Sequence, residues 1–151
     1  MEVTPMADDL TQNNESISSD PETTSDPETT SDPEIIVETI LSDVKRMLGI
    51  QPEVDEFNID ITSHINGAFF VLNQLGIGPS DPFTIDSTTE WSSFETSIPK
   101  SIVLDYLYLK TKMVFDPPAA SNIVEAYKDR ISELEFRMNV MVDNAGGVVS
   151  G

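Results

Sequence analysis

The sequence predicts an all-α protein: a small, four-helix, bundle-like domain with a disordered acidic N-terminal tail and a flexible C-terminal tail. Three observations predict it. Apolar residues recur at intervals of three and four through most of residues 35–141, the repeat of one helix face. Glycine or proline interrupts those runs where helices should end, at Gly49, Gly76 and Asp116-Pro117-Pro118. Residues 1–34 hold ten acidic side chains, no basic ones and few large apolar ones, so they cannot contribute to a core.

The tail contains a hexapeptide repeat. Ser19-Asp20-Pro21-Glu22-Thr23-Thr24 is followed by Ser25-Asp26-Pro27-Glu28-Thr29-Thr30 and the partial copy Ser31-Asp32-Pro33-Glu34. Proline in each copy blocks a continuous helix. Residues 1–32 therefore read as a disordered spacer, either a docking tail or the product of repeat slippage. The helical domain is expected over 33–142 and a flexible tail over 143–151.

The first helix is expected to start in the last repeat copy. Either Asp32 caps it with Pro33 at the first helical position, or Ser31 and Glu34 form a capping box. Val37, Leu41, Val44 and Leu48 make its apolar face, Lys45 and Arg46 suit its C-terminal dipole, and Gly49 stops it. The second helix should begin between Asp55 and Asn58, with Ile61, Ile65, Ala68, Leu72 and Leu75 as its stripe and Phe69 beside it. Gly76 should provide its left-handed cap. Residues 77–99 read as an irregular loop. Asp81–Ile85 is expected to be extended, and Thr89–Phe94 to form a short helix that turns Trp91 and Phe94 inward. A loop of this length in a small domain points to function or an interface.

The organising element is the stretch from Ile102 to Met141. Ile102, Tyr106, Leu109 and Met113 form one stripe and Val103, Leu107 and Val114 another, so this helix belongs in the middle of the packing. Asp116 should end it and cap the next helix, with Pro117 at the first position. The last helix is apolar at Val124, Tyr127, Ile131, Leu134, Met138 and Met141. Phe136 and Val140 fall outside that stripe, which points to contacts between subunits.

Composition excludes much chemistry. With no cysteine there is no disulfide framework, thiolate metal site or cysteine nucleophile. His64 is the only histidine, so no histidine triad or multi-histidine metal site can be built, and it sits off the apolar stripe. Gly76-Ile77-Gly78 lacks the third glycine of a dinucleotide fingerprint. Asp55, Glu56 and Asp60 suit a helix start and do not match a calcium loop. No catalytic residue, cofactor or metal is therefore expected. The net charge of -19 should repel nucleic acid. The apolar run Ala68–Leu72 is too short to span a bilayer.

Several segments together resemble one family. They are Ile40-Leu41-Ser42-Asp43-Val44-Lys45-Arg46-Met47-Leu48-Gly49-Ile50; His64-Ile65-Asn66-Gly67-Ala68 through Val71-Leu72-Asn73-Gln74-Leu75-Gly76-Ile77-Gly78; Tyr106-Leu107-Tyr108-Leu109-Lys110 with Phe115-Asp116-Pro117-Pro118; and Leu134-Glu135-Phe136-Arg137-Met138-Asn139-Val140. In this order they resemble the head–tail connector (adaptor, head-completion) proteins of tailed bacteriophages, over about residues 38–143. The acidic repeat departs from that pattern. The resemblance implies a non-enzymatic virion protein, a homo-oligomeric ring beneath the portal that extends the DNA channel. Its partners would be further copies of itself, the portal protein and the next neck or tail-completion protein. Viral DNA would pass without sequence-specific binding, and no membrane is involved. On this reading the contact residues are Tyr106, Tyr108, Phe115, Phe136 and Arg137, with Val148 and Val149 in a C-terminal segment that docks on the portal. Residues 77–99 would meet a neighbour or the next ring. The competing reading is a soluble acidic DNA mimic that occupies a basic host enzyme, although the charge is concentrated in the tail and not on a rigid face.

Overall fold

The computed structural model describes residues 37–147. The acidic repeat, the helix start expected at Asp32-Pro33, and Val148 and Val149 lie outside the described residues. Within them the protein is all-α. Its helices are α1 (Ile40–Met47), α2 (Asn58–Gln74), α3 (Lys100–Phe115) and α4 (Ser121–Gly147), with a short 3-10 turn at Trp91–Ser93.

The first helix starts later than its apolar pattern suggests. Thr39 and Ser42 form a capping box: the Ser42 amide donates to the Thr39 hydroxyl at 3.0 Å, and the Thr39 amide donates to the Ser42 hydroxyl at 3.1 Å. The chain before the cap is extended, because Thr39 pairs with Glu90 in an isolated antiparallel bridge. Val37 is therefore half exposed and does not join the stripe. α1 and α2 each end in the left-handed glycine cap expected. Gly49 and Gly76 have φ of 82° and 79°. At α2 the Gly76 amide reaches the Asn73 carbonyl and the Ile77 amide the Leu72 carbonyl, the paired bonds of a Schellman motif.

α3 occupies the middle. It packs most extensively on α2 and also against α1 and α4. Both of its stripes contribute: Val103, Tyr106, Leu107 and Leu109 are buried, while Val114 at its end is exposed. α2 supplies Ile61, Ile65, Ala68, Phe69 and Leu72, and α4 supplies Leu134 and Met138. Each large apolar side chain fully buried here contributes about 1.5–3 kcal/mol.

The α3–α4 corner differs from the expectation. Asp116 does end α3, its amide donating to the Lys112 carbonyl at 3.0 Å. Pro117 does not begin α4, which starts at Ser121. Pro118 is the reason: the residue before a proline avoids the α region, so Pro117 cannot take the first helical position. The Ala120 carbonyl instead accepts from the Ile123 and Val124 amides. At the other end α4 runs on through Asp143–Gly147, beyond the predicted stop at Val142. No strong breaker stands before Gly146, and an internal glycine costs only about 1 kcal/mol.

The α1–α2 turn is fastened from inside. Lys45 is buried, and its ammonium donates to the Pro52 carbonyl at 2.8 Å, the Val54 carbonyl at 2.6 Å and Asn58 Oδ1 at 2.7 Å. Three donors meet three acceptors, which is what a buried ammonium needs. Burial lowers the Lys45 pKa, opposed by the nearby Asp55 and Glu53 carboxylates. Lys45→Met keeps the stem but strands the acceptors. It should cost about 2 kcal/mol, read as a lower urea midpoint with an unchanged slope.

Candidate functional site

The described residues bring together a braced loop and an outward helical ridge. The loop, 77–99, is held at several points. Asn66 on α2 grips the Ile85 peptide from both sides: its Oδ1 accepts from the Ile85 amide at 2.7 Å and its Nδ2 donates to the Ile85 carbonyl at 3.3 Å. Asp86 then closes a turn by accepting from the Thr88 amide and hydroxyl and the Thr89 hydroxyl. Those bonds, the Thr88 amide foremost, hold its carboxyl below the ordinary value. Phe83 and Phe94 pack on Phe69 of α2, with the three ring centroids 4.8–5.0 Å apart. Gly78, at φ 95°, lies so close to the Phe94 ring that any β-carbon would collide with it.

The tie between the loop and the helices is Asp43 on α1. It is 5% exposed. Its Oδ2 accepts from Trp91 Nε1 at 2.8 Å and pairs with Lys100 Nζ at 3.1 Å, while its Oδ1 accepts from Arg46 at 2.6 Å. Lys100 also sits over the Trp91 ring, 5.1 Å from its centroid. One carboxylate thus joins α1, the 3-10 turn and the start of α3. Burial raises its pKa, but the bonds from Trp91, Lys100 and Arg46 outweigh that and leave it below the ordinary value.

The residues expected to make subunit contacts separate into three groups. Tyr106 is fully buried: its hydroxyl donates to Glu135 Oε1 at 2.8 Å and fastens α3 to α4, so it cannot belong to an exposed face of the folded subunit. Burial and that bond raise its pKa. Tyr108 and Phe115 are half-buried. The Tyr127 hydroxyl beside Tyr108 and partial burial push its phenol up to about 12, and Phe115 packs edge-on against Phe57 at 5.6 Å. Phe136 and Arg137 face outward. Phe136 is 70% exposed, and Arg137 Nε donates to Glu133 Oε1 at 2.9 Å in an exposed pair. The predicted inner stripe of α4, from Val124 to Met141, is indeed its covered side.

Asp43 and Lys45 were not foreseen as anchors. The available signal was position: Lys45 follows Leu41 by four residues and precedes Leu48 by three, which places it on the inner face.

Among the described residues, no group of three or more His, Cys, Asp and Glu side chains is placed to hold a metal ion. None of their helices is long and apolar enough to cross a membrane. The features that stand out are a rigidly tied loop, a helical core and exposed apolar side chains on stiff helices. They define an all-helical module that presents exposed apolar side chains. The chain belongs to the phage connector protein family, whose model matches residues 40–145, more than half of it. Neither a curated protein nor a solved structure matches the chain.

The Asp43 tie makes stability sensitive to acid. Because its folded pKa lies below the unfolded value of about 3.8, its contribution is complete above that value and is lost as pH falls through the folded one. Asp43→Asn should cost about 1–3 kcal/mol at neutral pH. It should also flatten the fall in stability below pH ~4, measured by urea unfolding with Trp91 fluorescence as the probe.

Proposed function

We propose that this phage structural connector assembles as a ring at the head–tail joint, beneath the portal, where it extends the DNA channel and offers a platform to the next neck or tail-completion protein. The family supplies the connector role. The observation that carries the ring is the outer side of α4: Phe136 is 70% exposed and Val140 is exposed one turn away, on a helix whose other side is already packed. A large aromatic held in water on a rigid helix is the kind of residue that anchors protein interfaces. Phe70 and Val114 add exposed apolar surface on α2 and α3.

The charge suits a channel wall. Binding duplex DNA requires neutralising phosphates with lysine and arginine, and this chain has 8 basic residues against 27 acidic ones. A ring of such subunits would let DNA slide past without holding it. Tyr108, Phe136 and Arg137 are assigned to contacts between neighbouring subunits, and the loop at 77–99 to a neighbour or the next ring. The C-terminal segment with Val148 and Val149 is assigned to the portal.

Mixing the protein with the portal ring from the same genome should add a layer of density coaxial with the portal in negative-stain images. Portal particles unchanged by folded, helical protein would refute the reading and favour a soluble acidic binder. Removing residues 148–151 keeps all of Ser121–Gly147 and should weaken attachment to the portal in a pull-down, with helicity by circular dichroism unchanged. Undiminished attachment would remove the docking role from that segment.

A further inference from the structure

Charge is divided along the chain. Residues 47–99 hold eight acidic side chains and no lysine or arginine. All eight, from Glu53 to Glu95, are exposed. The ion pairs among the described residues all use acids outside that stretch. Residues 100–147 are near balance, with seven acids and six of the chain's eight basic residues. α2 and its loop thus form an acidic half, while α3 and α4 carry most of the accessible cations.

Each half also carries an apolar feature that stays exposed among the described residues. On the acidic half, a groove of about 560 Å³ lies between α2 and the turn at 85–87, lined by Asn58, Ile59, Thr62, Asn66 and Ile85. Ile59 is 84% exposed at its edge. On the other half, Phe136 and Val140 form a ridge on α4 with Arg137 beside them. Groove and ridge belong to different helices, α2 and α4, both of which pack on α3.

These two faces suit each other better than either suits itself. Pairing two acidic halves would set like charges together across a desolvating contact, which disfavours that arrangement. Pairing the acidic half with the α3–α4 half places carboxylates near cations and gives the groove an apolar occupant. The Arg137–Glu133 pair is exposed and therefore weak, so Arg137 can turn to a new partner. A contact between two different faces of identical chains repeats head to tail, and it closes into a ring when the rotation permits.

We infer that the groove beside Ile59 in one subunit receives the Phe136–Val140 ridge of the next, with Arg137 meeting the acidic edge at Asp60 and Asp86. This rests on the ring reading above and names the faces that make the ring. A second copy of this chain is the occupant, because only the α3–α4 half offers both the ridge and the cations.

The chain has no native cysteine, so introduced ones report cleanly. Full-length Ser63→Cys/Ser132→Cys protein, which keeps Ile59 and Phe136 and places the thiols at the groove and one turn before the ridge, should give a ladder of covalent multimers on a denaturing gel when assembled on the portal ring and treated with a short bis-maleimide. Each single variant should give none. Both sites are exposed, so folding should survive, and circular dichroism checks it. Portal density without a ladder overturns the head-to-tail pairing and leaves the connector reading intact. Dimers from Ser132→Cys alone would show ridge meeting ridge, and also overturn it. Absence of both portal density and ladder overturns the pairing together with the ring.

Discussion

The buried carboxylate of Asp43 is the constraint on which the loop and its surroundings depend. It draws Trp91 from the loop, Lys100 from the start of α3 and Arg46 from its own helix to one point. A charge buried this deeply is tolerable only if it is paired and hydrogen-bonded. Three donors meet that condition, and each comes from a different part of the chain. The carboxylate therefore fixes a geometry as well as contributing energy. The bridge between Thr39 and Glu90 and the bond from the Ile40 amide to the Thr89 carbonyl lie beside it and set the same register.

A loop of more than twenty residues would ordinarily be mobile, yet this one has fixed points along its length. Asn66 substitutes for a strand partner at Ile85, the phenylalanine cluster supplies a small core, and Asp43 holds the far end. Gly78 lets the chain leave α2 directly beneath the Phe94 ring. The consequence for function is rigidity: the turn at 85–87 stays at a set distance from α2, so the groove between them has a defined shape. The Lys45 ammonium does the same for the turn that leads into α2.

Periodicity made the helices legible because burial on one helix face leaves a repeat in the sequence. The stripes of α2 and α4, the central place of α3 and the caps at Gly49 and Gly76 were all readable in that way. The start of α1 was not, because Ile35, Ile36 and Val37 continue an apolar run while Thr39 and Ser42 close the helix with a local cap. A pattern of side chains does not say which backbone amides find other partners. At the α3–α4 corner Pro117 alone suits a first helical position, but Pro118 after it keeps it out of the α region, and α4 starts at Ser121. The resemblance places Tyr106 at a subunit contact, but Glu135 lies across a helix junction and satisfies its hydroxyl inside the fold. Pairings over long sequence separations, such as Asp43 with Trp91, leave no periodic trace.

What distinguishes Phe136 from Tyr106 is the partner available within the subunit. Both are aromatic residues of the paired helices α3 and α4, and the resemblance gives both the same role. Tyr106 has its ring covered and its hydroxyl bonded, so the fold already accounts for it. Phe136 has no polar atom to satisfy and its ring stays in water, at a cost that folding does not recover. Stability of the lone subunit gives no reason for phenylalanine there; a polar residue would serve the outer side of α4 as well. In the proposed ring the reason lies outside the subunit, in a neighbour that would cover the phenyl ring. The division of charge limits which neighbour that is. A surface carrying eight exposed carboxylates on one half would repel its own copy, so the proposed head-to-tail contact covers the ridge with the opposite face of the next chain. Sequence pattern and packing thus support the proposed assembly by the same physical argument: apolar area left over by the fold, and charge placed so that like faces repel.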